Sequence, residues 1–232
     1  MGVIKMRDPY TDSNNVLKNK LGIKDYHRLN QAEADIGFLK LVSLDSLECE
    51  KLDENLIKKI HKHIFEDIFD WAGEYRTVPV IKQEKVLAGY SISYSDVNSI
   101  PKDLNSTIKG LDEFDWNNMS SDEIALRFAR QLAVIWRVHP FRDGNTRTIL
   151  SFGYLYAKAH GFPFDMQALI SNLSEERDKD GNLIRQFTIR DRFVLASLDY
   201  EDYPEIDPLA KLMKYAMDVY NENNDIENNK TR

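Results

Sequence analysis

Apolar residues recur at helical spacing through most of this chain. Leu29, Ala32, Ile36, Leu39 and Leu41 keep a rough helical period, so a helix is expected over 29–44. Asp53 is placed to cap the next helix, on which Leu56, Ile57, Ile60, Ile64, Phe65 and Ile68 form a broad apolar face. The texture then changes. Thr77-Val78-Pro79-Val80-Ile81 and Val86-Leu87-Ala88-Gly89-Tyr90 are short, β-branched or aromatic runs separated by Lys82-Gln83-Glu84-Lys85, the pattern of a small hairpin or flap. Pro79 places that hairpin at an exposed edge, where a partner's strand could add. Ser120 with Glu123 makes a capping box for a buried helix carrying Ile124, Phe128, Leu132, Ile135 and Trp136. That helix must end near Val138, because Pro140 disfavours helix at His139. A second buried helix restarts at about Gly144, passes Ile149, Phe152, Tyr154 and Leu155, and is stopped by Gly161 and Pro163. A last amphipathic helix is expected from Asp207 to Tyr220. The fold class that follows is all-α, a helical bundle with a small β-hairpin flap.

Composition bounds this picture without changing it. The 232 residues fit one domain, 42% are hydrophobic and 30% charged. The expected division is an irregular segment over 1–15, a single domain over 16–220 and a polar, frayed tail over 221–232. The net charge of −7 argues against a nucleic-acid partner, whose footprint is basic, but allows a local site for a small anion. No run approaches a membrane-spanning length, and the opening lacks the apolar core of a secretory signal. Cys49 is the only cysteine and lies between Glu48 and Glu50, which suits a structural thiol in a reducing compartment. A cytoplasmic location is expected, with no membrane partner.

The chemistry concentrates between the two buried helices, in His139-Pro140-Phe141-Arg142-Asp143-Gly144-Asn145-Thr146-Arg147. Gly144 and Asn145 stand at a helix N-terminus, whose free N–H groups and partial positive charge bind phosphate oxygens. Gly144 permits positive φ and close approach of the backbone, Asn145 adds a side-chain donor, and Arg147 adds a planar fork of donors. Asp143 is the lone carboxylate in a site otherwise built for anions. It makes sense as a ligand for Mg²⁺, which takes one or two carboxylates together with substrate phosphates. His139 is then the natural general base for a hydroxyl nucleophile. Taken singly, a His after a helix is usually a cap and Asp-Gly-Asn usually a turn. Together, between two strongly apolar helices, these charged residues need a partner.

The segment resembles the signature of the Fic (filamentation induced by cyclic AMP) family, His-x-Phe-x-Asp/Glu-Gly-Asn-Gly/Lys-Arg. Asp8-Pro9-Tyr10, the run from Asn15 to Ile23 and Ile68-Phe69-Asp70-Trp71-Ala72-Gly73-Glu74-Tyr75-Arg76 extend the resemblance, which runs from about Asp8 to Met217. It implies a helical Fic fold and a protein adenylyltransferase that moves AMP from ATP onto a Ser, Thr or Tyr hydroxyl of a target protein or of itself. It also implies His139 as base, Asp143 on Mg²⁺, and a nucleotide-binding set of Phe141, Arg142, Gly144, Asn145, Thr146 and Arg147. Of these, Gly144, Asn145 and Arg147 would meet phosphates, and Phe141 would anchor the loop in the core. The flap near Thr77–Leu87 would hold the target as an added strand.

Two positions depart from the family pattern. Thr146 stands where AMP-transferring members usually have Gly and phosphate-transferring relatives Lys. Leu150 stands where many members carry a second Arg, which contacts the γ-phosphate and pairs with an inhibitory Glu. The family's inhibitory motif, Ser/Thr-x-x-x-Glu-Gly/Asn, is not completed at Ser46, Ser171 or Ser197, where Lys51, Glu176 and Asp202 follow the glutamates. Either a separate small antitoxin-like inhibitor or weak inhibition is therefore expected, the competing idea being a degenerate internal helix near Ser46 with Glu50. His61 and His63 point to different sides of a helix and read as a solvated face. Trp71, Tyr75 and Tyr90 read as core and flap packing, and Glu74 with Arg76 as a structural ion pair. Neither a P-loop nor Gly-x-Gly-x-x-Gly occurs. The alternatives left open are another Fic-type transfer at the same site, or a non-catalytic module that grips a partner with the flap.

Overall fold

The computed structural model describes residues 8–47, 51–171, 174–177, 179, 183–198 and 208–230. Cys49 and Glu50 lie outside them, as do the glutamate of the Ser197 candidate and the residues on either side of it. Among the described residues there are eight α-helices: α1 (Tyr26–Val42), α2 (Glu54–Phe65), α3 (Ile100–Lys109), α4 (Ser121–Val138), α5 (Asn145–Ala159), α6 (Met166–Ser171), α7 (Ile189–Ala196) and α8 (Pro208–Lys230). None is long and apolar enough to cross a membrane.

α4 is the axis of the bundle. Both halves of its capping box form, with the Glu123 N–H donating to Ser120 Oγ and the Ser120 N–H to Glu123 Oε2. Its apolar residues cover a broad face, with Arg127, Arg130 and Val134 on the exposed side. Ala129, Leu132, Ala133, Ile135 and Trp136 are all fully buried, because α3, α5, α7 and α8 pack around it. α2 starts on Asp53, whose Oδ1 accepts from the N–H groups of Asn55 and Leu56, and lays its apolar face on α1, α3 and α5. α4 and α5 approach closely at Gly153, where an added Cβ would stand 2.7 Å from Leu132 Cδ1. That contact sets the wedge in which the loop 139–144 sits.

Three expectations are corrected. The hairpin over 77–90 does not form a ladder. Residues 79–83 are extended and make no backbone–backbone hydrogen bond among the described residues, and Lys85–Leu87 is a single 3-10 turn closed by the Gly89 N–H on the Glu84 carbonyl. Pro79 removes one donor, and Ala88 at φ 54 with Gly89 at φ 91 turns the chain away from pairing. The two strands of the structure lie elsewhere, β1 (Ser174–Arg177) antiparallel to β2 (Leu183–Phe187). The polar segment expected to fray is instead the end of α8, which continues ten residues past Tyr220 to Lys230. Asn221, Glu222, Asn223 and Asp225 are exposed on a helix already nucleated by the buried Leu209, Leu212, Met213, Ala216 and Met217.

Gly153→Ala is expected to destabilise the protein by about 1–3 kcal/mol through overpacking against Leu132, read by urea unfolding. A Leu132→Ala background should remove most of that increment.

Candidate active site

The loop between α4 and α5 is held by side chains rather than by secondary structure. His139 caps α4 in the left-handed region at φ 51, where Gly is the usual residue, and its N–H donates to the Trp136 carbonyl. A non-glycine residue there costs about 1–3 kcal/mol, a strain that collects at functional sites. The buried amide of Asn145 bridges the turn, Oδ1 accepting from the Phe141 N–H and Nδ2 donating to the Phe141 carbonyl, both at 2.9 Å. Arg76 Nε donates to the His139 carbonyl at 2.8 Å, and the Arg76 N–H to the Pro140 carbonyl. Its other nitrogens reach the carbonyls of Val78 and Ser95. Arg76 thus ties the loop to the segment 77–96, and the expected Glu74–Arg76 pair is not made; Glu74 lies 4.0 Å from Lys58 instead.

His61 is the largest departure from the sequence reading. Instead of facing solvent, it is fully buried, with its ring stacked on Phe141 at 3.8 Å between centroids. Its Nδ1 accepts from the Gly73 N–H at 2.8 Å, so Nε2 carries the proton and donates to the Asp143 carbonyl at 3.1 Å. Burial pushes its pKa down to about 3, so the ring is neutral at physiological pH. Spacing on α2 does put position 61 on the apolar face, four after Ile57 and three before Ile64, but not its partners, which lie 12 and 82 positions away.

Gly144 answers to two constraints. It has φ +77, and a Cβ there would stand 2.3 Å from Phe65 Cε2. Its N–H donates to Asp143 Oδ1, which also faces Lys82 Nζ at 3.7 Å. Burial alone would raise the Asp143 pKa, but Lys82, the Gly144 N–H, Arg147 and Arg142 outweigh it and hold the carboxyl ionised. No group of three or more His, Cys, Asp or Glu able to hold a metal occurs among the described residues. A cation on Asp143 would have to complete its shell with oxygens of a ligand, as Mg²⁺ does with phosphates.

A cavity of about 530 Å³ opens against the start of α5. It is lined by Asp143, Gly144, Asn145, Thr146 and Arg147, by Tyr26, Asn30, Glu33 and Ala34 of α1, and by Lys82 and Arg190. Arg147 lies over the Phe65 ring at 4.5 Å and donates from Nη2 to Glu33 Oε2 at 2.7 Å and from Nη1 to the Glu33 carbonyl. Burial, then Asp143, raise the Glu33 pKa, and Arg147 opposes them. Three expected nucleotide contacts have other partners. Phe141 is fully buried, Arg142 is paired with Asp8, and Thr146 Oγ1 accepts from the Trp136 indole N–H. Leu150 points into the core.

His139 is enclosed. It has no exposed surface, both ring nitrogens lack a hydrogen-bond partner, and the Tyr94 ring stacks on it at 4.0 Å. Burial first, then Lys82, Arg190 and Arg76, hold its pKa well below the ordinary value. Glu33, Lys82, Tyr94 and Arg190 were not singled out in the sequence, where nothing marks them as neighbours of the loop.

Asn145→Ala strands the buried Phe141 N–H and carbonyl, and should cost about 2–4 kcal/mol in urea unfolding. The buried histidines also set a pH dependence. Unfolded, each titrates near 6.5, whereas folded His61 and His139 stay neutral well below that. Their full contribution is present above the unfolded value and is lost as pH falls, at about 1.4 kcal/mol per pH unit for each ring. Stability measured from about pH 7 down to 5 should therefore fall less steeply for His61→Phe than for the wild type, and parallel profiles would contradict this.

Comparison with known proteins places the sequence and the fold among relatives. The sequence model of the Fic/DOC family matches residues 51–157. The protein adenylyltransferase VbhT of Bartonella schoenbuchensis is 33% identical over 162 residues, covering 68% of this chain. This chain spans only about a third of that relative, 32% of its length. The probable protein adenylyltransferase Fic of Salmonella typhimurium is 26% identical over 178 residues, 75% of this chain and 84% of the relative. A crystal structure of BepC from Bartonella tribocorum with bound AMPPNP superposes with a TM-score of 0.61 at 20% identity, covering 89% of this chain and 95% of that one. By its loop, its fold and these matches, the chain belongs to the Fic/DOC family.

Proposed function

We propose that this protein is a protein adenylyltransferase that transfers AMP from ATP, with Mg²⁺, to a Ser, Thr or Tyr hydroxyl of a target protein. The observation that carries this reading is His139, a neutral and enclosed imidazole with both nitrogens unpaired beside a cation-lined cavity. A buried polar group left without partners calls for an explanation, and a proton to be received is one. The cavity has the size of a nucleotide site, and the names of VbhT and of the Salmonella relative, with the AMPPNP in BepC, support the same reading.

In the transfer, the target hydroxyl oxygen bonds to the α-phosphorus and its proton passes to a ring nitrogen of His139. The bond from that phosphorus to the bridging oxygen breaks, and pyrophosphate leaves. The N–H groups at the start of α5 and the guanidinium of Arg147 would hold the phosphates. Lys82, Arg147 and Arg190 are matched by Asp143, Glu33 and Glu84, so the site itself has little positive charge to spare for a polyphosphate. Mg²⁺ held by Asp143 would supply that charge and stabilise charge on the transferred group. Glu33 already occupies two nitrogens of Arg147, an internal brake that phosphates must displace or share. A separate inhibitory protein would act beside this pair.

The hydroxyl reaches His139 only when Tyr94 and the segment 77–96 shift. Residues 79–83 keep their main-chain hydrogen-bonding groups open, with Ile81 83% exposed. We propose that a target strand adds there.

The test incubates the chain with lysate, Mg²⁺ and ATP labelled at the α-phosphate, beside His139→Ala. Wild type should label protein, and His139→Ala should fall by at least about a hundredfold. Equal labelling by both would overturn the role of His139.

A further inference from the structure

No step of the transfer described above uses Arg190, although it lines the cavity. Its position is unusually fixed. Nε and Nη2 both donate to the buried carboxylate of Glu84, Nη2 also donates to Tyr94 Oη at 3.0 Å, and the guanidinium lies 5.3 Å from the Trp136 ring centroid. Among the described residues Nη1 has no hydrogen-bond partner, so one arm of the fork is left over. Glu84 is 3% exposed and Tyr94 stacks on His139, so the assembly that orients Arg190 is the same one that borders the base.

The surroundings point to an anion. Lys82 and Arg190 are like charges that bear on each other and on His139, and burial is the largest cause lowering the Lys82 pKa. Asp143 and Glu84 offset much of that charge, but Arg190 keeps one arm without a partner among the described residues. Glu84 is committed to Arg190, and Asp143 Oδ1 lies 3.7 Å from Lys82 Nζ. Lys82 and Arg190 line the same cavity, and the unpartnered arm of Arg190 suits a phosphate oxygen there. A guanidinium already immobilised by a carboxylate, a phenol and an indole loses little conformational entropy on gripping it.

We propose that Arg190 is a nucleotide-binding residue whose free arm, with Lys82, holds a phosphate group of the nucleotide in that cavity. This rests on the nucleotide reading above. It differs from a purely structural role in one measurable respect: the contribution of Arg190 must depend on the ligand having a phosphate.

The experiment is calorimetric titration of the whole chain with AMPPNP, AMP and adenosine, each with Mg²⁺, for wild type, Arg190→Gln and Arg190→Lys. Arg190→Gln should weaken AMPPNP and AMP by about tenfold or more and leave adenosine within about twofold. Arg190→Lys keeps the charge but not the fork, and should recover part of the loss. Equal weakening of adenosine would overturn the proposal in favour of a structural role, and so would unchanged affinity for AMP and AMPPNP. If Arg190→Gln does not fold, Arg190→Lys with the same three ligands decides by the same criterion. Wild-type chain that binds none of the three would overturn the nucleotide reading itself, a distinct outcome from wild type that binds all three while the variants match it.

Discussion

The site depends on burying a loop that has no secondary structure of its own. Between Val138 and Asn145 the main chain leaves one helix, turns through two left-handed residues and enters another, all inside the apolar wedge of α4 and α5. A buried carbonyl or N–H without a partner costs about 1–3 kcal/mol, so the loop holds its shape only if side chains take the place of a ladder. Arg76 serves His139, Asn145 serves Phe141, and His61 serves Asp143. Each comes from a different part of the chain, which couples the loop geometry to α2, to α5 and to the segment after Gly73.

Around that loop one continuous network joins structure to chemistry. Thr146 accepts from Trp136, Trp136 lies under Arg190, Arg190 pairs with Glu84 and Tyr94, and Tyr94 covers His139. On the other side Arg147 is held by Glu33 and Phe65. The two halves place cations on opposite flanks of one cavity, with Asp143 between them. His139 is kept neutral by burial and by the cations Lys82, Arg190 and Arg76.

The parts legible in the sequence were those fixed by neighbours a few residues away. Asp53, the Ser120–Glu123 box, Pro140 and Gly144 signal their elements locally, and α2, α4 and α5 follow. The motif from His139 to Arg147 marks the place of the site for the same reason. What escaped was long-range. The polarity of its ring reads His61 as solvated although its spacing from Ile57 and Ile64 points inward, and an aromatic stack and two backbone partners hold it there. Arg76, Glu33, Lys82 and Arg190 carry no sequence mark of their neighbours. The stretch from Thr77 to Tyr90 has strand-like composition, yet its hydrogen bonds go to a 3-10 turn and to Arg76. The polar end of α8 was misread because composition describes solvation, whereas helix continuation is decided by the turns already formed.

The bond from the Trp136 indole to Thr146 Oγ1 bears on how this motif can be exchanged among relatives. Neither glycine nor lysine at 146 could accept that proton, so either would leave an indole N–H stranded against the start of α5. Position 146 cannot drift independently of position 136. Swapping residue 146 alone therefore probes the seating of two helices as well as the nucleotide, and only a paired exchange separates the two.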